Sequence, residues 1–116
     1  MARKKNQLNL IKKKLDQYIK VLTRTINVDK IILFGSYVKG EAHEFSDIDI
    51  ALVSSELNIK KPTFVHNIAI KKKANFYDPD LQLFAFPKEI FDREEGVQSS
   101  FIREIKKTGK IIYQKP

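Results

Sequence analysis

The chain has 116 residues, no cysteine, and 22 Lys and Arg against 14 Asp and Glu, a net charge of +8. That length suits one small domain of two or three layers over residues 1–116, too short for a catalytic domain joined to a separate substrate domain. Without cysteine there is no disulfide or thiolate metal site, no apolar run nears the roughly 18 residues of a membrane span, and the basic start Arg3-Lys4-Lys5 leads into an amphipathic segment rather than a signal sequence, so the expected compartment is the cytoplasm.

Residues 6–26 are predicted as a helix, because Leu8, Ile11, Leu15, Ile19, Leu22 and Ile26 recur at spacings of three and four, with lysines on the other faces. Lys30-Ile31-Ile32-Leu33-Phe34 is a β-branched apolar run, predicted as a buried strand that Gly35 stops. Residues 36–46 are expected to hold a short helical turn and a loop, and Asp47–Val53 a second strand. Residues 63–75 read as a helix of weak periodicity, Tyr77-Asp78-Pro79 as a turn, and Leu81–Phe86 as a third strand closed by Pro87. One helical turn at 88–93, a helix over Gln98–Lys107 stopped by Gly109, and a last strand at Lys110–Tyr113 complete the chain. This alternation predicts one α/β (α+β) domain, a mixed sheet of three to five strands with helices packed mainly on one face.

The segment from Phe34 to Ile50 carries the chemistry. A buried strand ends in Gly35-Ser36, where glycine permits close approach to the backbone and serine offers a hydroxyl. A helical turn beginning there would direct amide N–H groups at an anion. Asp47 follows eleven residues after Ser36, and Asp49 two later, so both carboxylates share one face of a strand whose Ile48 and Ile50 face a core. Adjacent carboxylates repel unless a cation sits between them, and hard oxygen ligands beside phosphates suit Mg²⁺.

The Gly-Ser, ten residues, Asp-x-Asp spacing resembles the minimal nucleotidyltransferases of the polymerase-β superfamily, of the kind that act as antitoxins to HEPN-domain toxins. The resemblance spans most of the chain. It implies a nucleoside triphosphate, ATP, held through its phosphates at Gly35 and Ser36, with Lys39 as a further phosphate contact. It implies two Mg²⁺ ions at Asp47 and Asp49, and transfer of AMP to a hydroxyl, a tyrosine of the HEPN toxin. The acceptor is expected from a partner protein, not from a membrane or nucleic acid.

Larger members of that superfamily use a third carboxylate for catalysis and metal binding. Two positions stay open for it. Asp80 lies at the start of the third strand, while Gln82, which cannot ionise, shares its face with Phe84 and Phe86. With Gln82 in the place of the acid, the domain would instead neutralise its toxin by binding alone. His43 and His66 lack a second ligand at metal spacing, and Lys71-Lys72-Lys73 reads as a solvated helix face.

Overall fold

A computed structural model of the chain describes residues 8–43 and 46–116. After a helical turn at residues 8–10 come α1 (Lys12–Thr25), β1 (Lys30–Phe34), α2 (Ser36–Lys39) and β2 (Ile48–Ser54). Then follow α3 (Thr63–Ala74), β3 (Leu81–Pro87), α4 (Lys88–Arg93), α5 (Ser99–Thr108) and β4 (Lys110–Gln114). Every predicted element is present, although residues 6 and 7 of the first helix lie outside the described residues.

The four strands form one mixed sheet in the order β3-β2-β1-β4. β1 runs antiparallel to β2 and to β4, and β2 runs parallel to β3. The central position of β1 and β2 explains their composition: strands covered on both faces read as nearly continuous apolar runs. Parallel pairing of β2 with β3 requires a crossover, and α3 supplies it. That tertiary demand, rather than the weak periodicity of 63–75, accounts for this helix. Asn75 closes it in the left-handed conformation, φ 50°.

Strand alternation sorts the core into two layers. Ile31, Leu33, Ile48, Ile50, Leu52 and Leu83 face Leu15, Tyr18 and Leu22 of α1 and Ile70 of α3. On the opposite face, Ile32, Phe34, Ala51, Val53 and Phe86 pack against Phe91 of α4 and Ile102 and Ile105 of α5. The two longest helices share one face, as expected, and the shorter α4 and α5 cover the other. Burying each of Phe91, Ile102 and Ile105 contributes about 1.5–3 kcal/mol. Gly109 does end α5, but its φ of −79° needs no glycine. Its reason is space: a Cβ would lie 2.5 Å from both the Ile105 carbonyl oxygen and Ile32 Cγ2.

Candidate active site

The site forms where the end of β1 meets the start of β2. Asp49 is the one residue of β2 that is not fully buried, and its register partners are Phe34 on β1 and Gln82 on β3. Alternation puts its side chain on the α4–α5 face, with Ala51 and Val53. Asp47 precedes the strand and is exposed. Phe34, Phe84 and Phe101 form a cluster on this face, with ring centroids 5.3–5.6 Å apart. This aromatic cluster lies on the same face of the sheet as Asp49, whose register partner on β1 is Phe34. Burial pushes the Asp49 carboxyl above the ordinary carboxylate range, and the charge of Asp47 adds to the push.

Gly35 ties the Gly-Ser turn to this carboxylate. Its backbone adopts φ +82° and ψ −155°, a region essentially reserved to glycine. A Cβ built there would lie 3.1 Å from Asp49 Cγ and closer still to Oδ2. The carboxylate therefore rests against a bare backbone. Ser36 begins α2, a single turn in which the Lys39 N–H donates to the Gly35 carbonyl at 3.2 Å. Gly40, at φ 73°, ends the turn, and Lys39 is exposed on it. One residue before Asp47, the Ser46 hydroxyl accepts the His43 N–H at 2.8 Å and steadies the approach to β2.

Gly35, Ser36, Asp47 and Asp49 thus meet at one end of the sheet, with Lys39 on the adjoining turn. Asp80 is not brought to the Asp49 carboxylate. Its carbonyl accepts the Ile48 N–H at 2.7 Å, but its side chain accepts the Lys14 ammonium at 2.6 Å, and α1 packs on the other face of the sheet. Asp78 is held there too, by the Tyr18 hydroxyl at 2.6 Å. The position in register with Asp49 is Gln82. Among the described residues no three His, Cys, Asp or Glu side chains come together as a metal cluster. Of the expected Asp47, Asp49 and Asp80, the Asp80 carboxylate pairs with Lys14 on the α1 side.

Asp47 and Asp49 fit a hard divalent cation. The Asp49 carboxylate lies against a backbone without a Cβ, and burial, with the charge of Asp47 beside it, raises its proton affinity, a cost that a bound cation would relieve. His66 is a satisfied core residue, its Nε2 2.9 Å from the Asn58 carbonyl oxygen. Sequence reasoning missed the aromatic cluster and the Lys14–Asp78–Tyr18 clamp. Their members lie on separate elements, and no local spacing signals that they meet.

Comparison with known proteins agrees with this geometry. A family described as "Polymerase beta, Nucleotidyltransferase" matches residues 16–116. A protein of Methanocaldococcus jannaschii named "Putative protein adenylyltransferase" is 30% identical over 82 residues, 71% of this chain and 76% of its own. A crystal structure from Sulfolobus solfataricus, described as a "putative nucleotidyltransferase", shares the fold with a TM-score of 0.61 and 17% identity, over 99% of this chain and 89% of that one. A toxin–antitoxin structure with AMP-PNP shares it at 0.56 and 24% identity, over 86% and 73%. Among the described residues no helix is long and apolar enough to cross a membrane.

Proposed function

The chain belongs to the polymerase-β nucleotidyltransferase family, and from that premise we propose that it transfers AMP from ATP to a tyrosine hydroxyl of a HEPN-type toxin, and so acts as an antitoxin. The observation that carries this reading is the contact between bare Gly35 and the Asp49 carboxylate. It makes the phosphate-binding turn and the carboxylate pair one site.

Gly35 and Ser36 receive the triphosphate, Gly35 by offering backbone without a side chain and Ser36 through its hydroxyl. Lys39 adds a point charge for the phosphates. Asp47 and Asp49 would hold Mg²⁺, which when bound neutralises phosphate charge and favours in-line displacement. The acceptor oxygen forms a bond to the α-phosphorus as the bond to the bridging oxygen breaks and pyrophosphate leaves. The hydroxyl proton passes to solvent, since Gln82 cannot ionise to accept it. Phe34, Phe84 and Phe101 form an apolar cluster on the same face of the sheet.

Similarity to a protein named for adenylyl transfer to proteins supports the acceptor class, and similarity to toxin–antitoxin structures supports the toxin partner. A second reading, neutralisation by binding alone, is favoured by the amide at Gln82 opposite Asp49. One experiment separates the two. Purified chain, Mg²⁺ and ATP labelled at the α-phosphate are incubated with the toxin, beside the Asp47→Ala, Asp49→Ala variant. Toxin labelled only by the intact chain supports transfer. Neutralisation by both proteins with no label in either supports binding alone.

A further inference from the structure

The two helices on the face opposite the carboxylates are strongly basic. α1 and α3 hold eight Lys and Arg against one acid, Asp16, while Asp78 and Asp80 before β3 pair with Lys14 there. α3 has no acid at all. Its outer surface is also apolar: Phe64 is 64% exposed and Ile68, one turn on, is 63% exposed. Lys71 and Lys72 continue the same face at helical spacing.

An open groove of about 460 Å³ begins at Phe64 and crosses Phe84 to Val97. Val97 and Ile59 are exposed at its rim. Phe84 links the groove to the Asp49 side of the sheet through its contact with Phe34. The helix behind this surface is firmly held. Asn67 Oδ1 accepts the Ala85 N–H at 2.7 Å, and the Thr63 hydroxyl donates to Gln98 Oε1 at 2.8 Å. The inner face of α3 is thus committed, and the outer face is a rigid platform of apolar residues bordered by lysine.

We propose that the outer face of α3, with the groove at its start, docks the acceptor protein through an apolar ridge of that protein flanked by Asp and Glu side chains. The inference rests on the reading that the acceptor is a protein. Charge complementarity selects the acidic flanks, because the α3 lysines face no acid on their own helix. Exposed Ile68, Ile59 and Val97 select a protein over a nucleic acid, which would use the lysines and leave the aliphatic groups in water. A partner lying here reaches Phe84 and then the catalytic face along one continuous surface.

A photo-cross-linking residue placed at position 68 tests this, with position 107 on α5 as control. The labelled chain is irradiated in a lysate of the source cells, and the adduct is identified, purified and titrated. The expected adduct is a protein other than this chain, formed from position 68 and not from 107. Its dissociation constant should rise at least tenfold for Ile68→Glu combined with Lys72→Glu, and should stay unchanged for Lys107→Glu at the exposed control position. No adduct at position 68, an adduct with RNA or a second copy, or unchanged affinity of the α3 variant overturns the proposal. Since the readout is binding, the readings fail separately: binding lost by the α3 variant with no AMP label from the intact chain removes transfer alone, while AMP label from the intact chain with unaltered binding by the α3 variant removes this docking surface alone. Both substitutions are at exposed positions, and a melting temperature close to that of the unmodified chain verifies folding.

Discussion

Replacing Gly35 by alanine should damage both the fold and the site, in amounts that can be separated. The backbone at φ +82° and ψ −155° costs a non-glycine residue about 1–3 kcal/mol. The new Cβ would also stand 3.1 Å from Asp49 Cγ and collide with Oδ2, so the carboxylate must leave its rotamer, at a further cost of about 0.5–1.5 kcal/mol. Together these predict a loss of about 1.5–4.5 kcal/mol, or roughly 6–18 °C in melting temperature for a domain of this size. Displacing a catalytic group by about 1 Å costs on the order of a hundredfold in rate. The decisive assay is a double-mutant cycle on metal-free protein. In an Asp49→Ala background the backbone strain remains but the collision is relieved, so Gly35→Ala should cost about 1 kcal/mol less there. Mn²⁺ titration by calorimetry should show weakened binding for Gly35→Ala alone. Equal costs in both backgrounds, or a Gly35→Ala protein that melts like the parent, would refute the claim that Gly35 exists to seat Asp49.

Three other substitutions probe the surroundings. Gln82→Glu adds a carboxylate in register with Asp49, so divalent-cation affinity should rise in calorimetry while metal-free stability falls through like-charge repulsion. Asp49→Asn bears on pH: because burial and Asp47 raise the Asp49 carboxyl in the fold, metal-free stability falls as pH rises from the ordinary carboxylate value through the raised one. The variant should therefore melt higher than the parent at neutral pH in chelator and should lose cation binding. Tyr18→Phe should cost about 1–3 kcal/mol by removing one hydrogen bond to the Asp78 carboxylate. Burial pushes that carboxyl up, but the Tyr18 hydroxyl, the Asp80 N–H and Lys14 outweigh it and hold it below the ordinary value. Its stabilisation is present above the ordinary value and lost as pH falls through the lowered one, so the gap between parent and variant in acid-unfolding curves should close there.

The order of elements was legible in the sequence because the strongest signals are local. A short apolar run with two adjacent isoleucines, a Gly-Ser stop and an Asp-x-Asp strand each reflect short-range sterics or period-two alternation. The same locality carried Gly35, Ser36, Asp47 and Asp49 as one group, since β1, its turn and β2 are consecutive and antiparallel. α3 shows the limit. Its sequence barely patterns as a helix, and it forms because β2 and β3 run parallel and need a crossover.

What the sequence determined by itself is that a glycine-serine turn and two carboxylates share one end of a sheet. Only the tertiary structure places the two candidates for a third site residue relative to Asp49. Asp80 and Gln82 are two residues apart, and alternation alone would allow either to join Asp49. Lys14, on a helix 66 positions away in the chain, draws Asp80 to the opposite side at 2.6 Å, and strand register sets Gln82 against Asp49. Asp80 lies just before β3 begins, so strand alternation does not bind it, and its pairing with Lys14 depends on distance in space rather than along the chain.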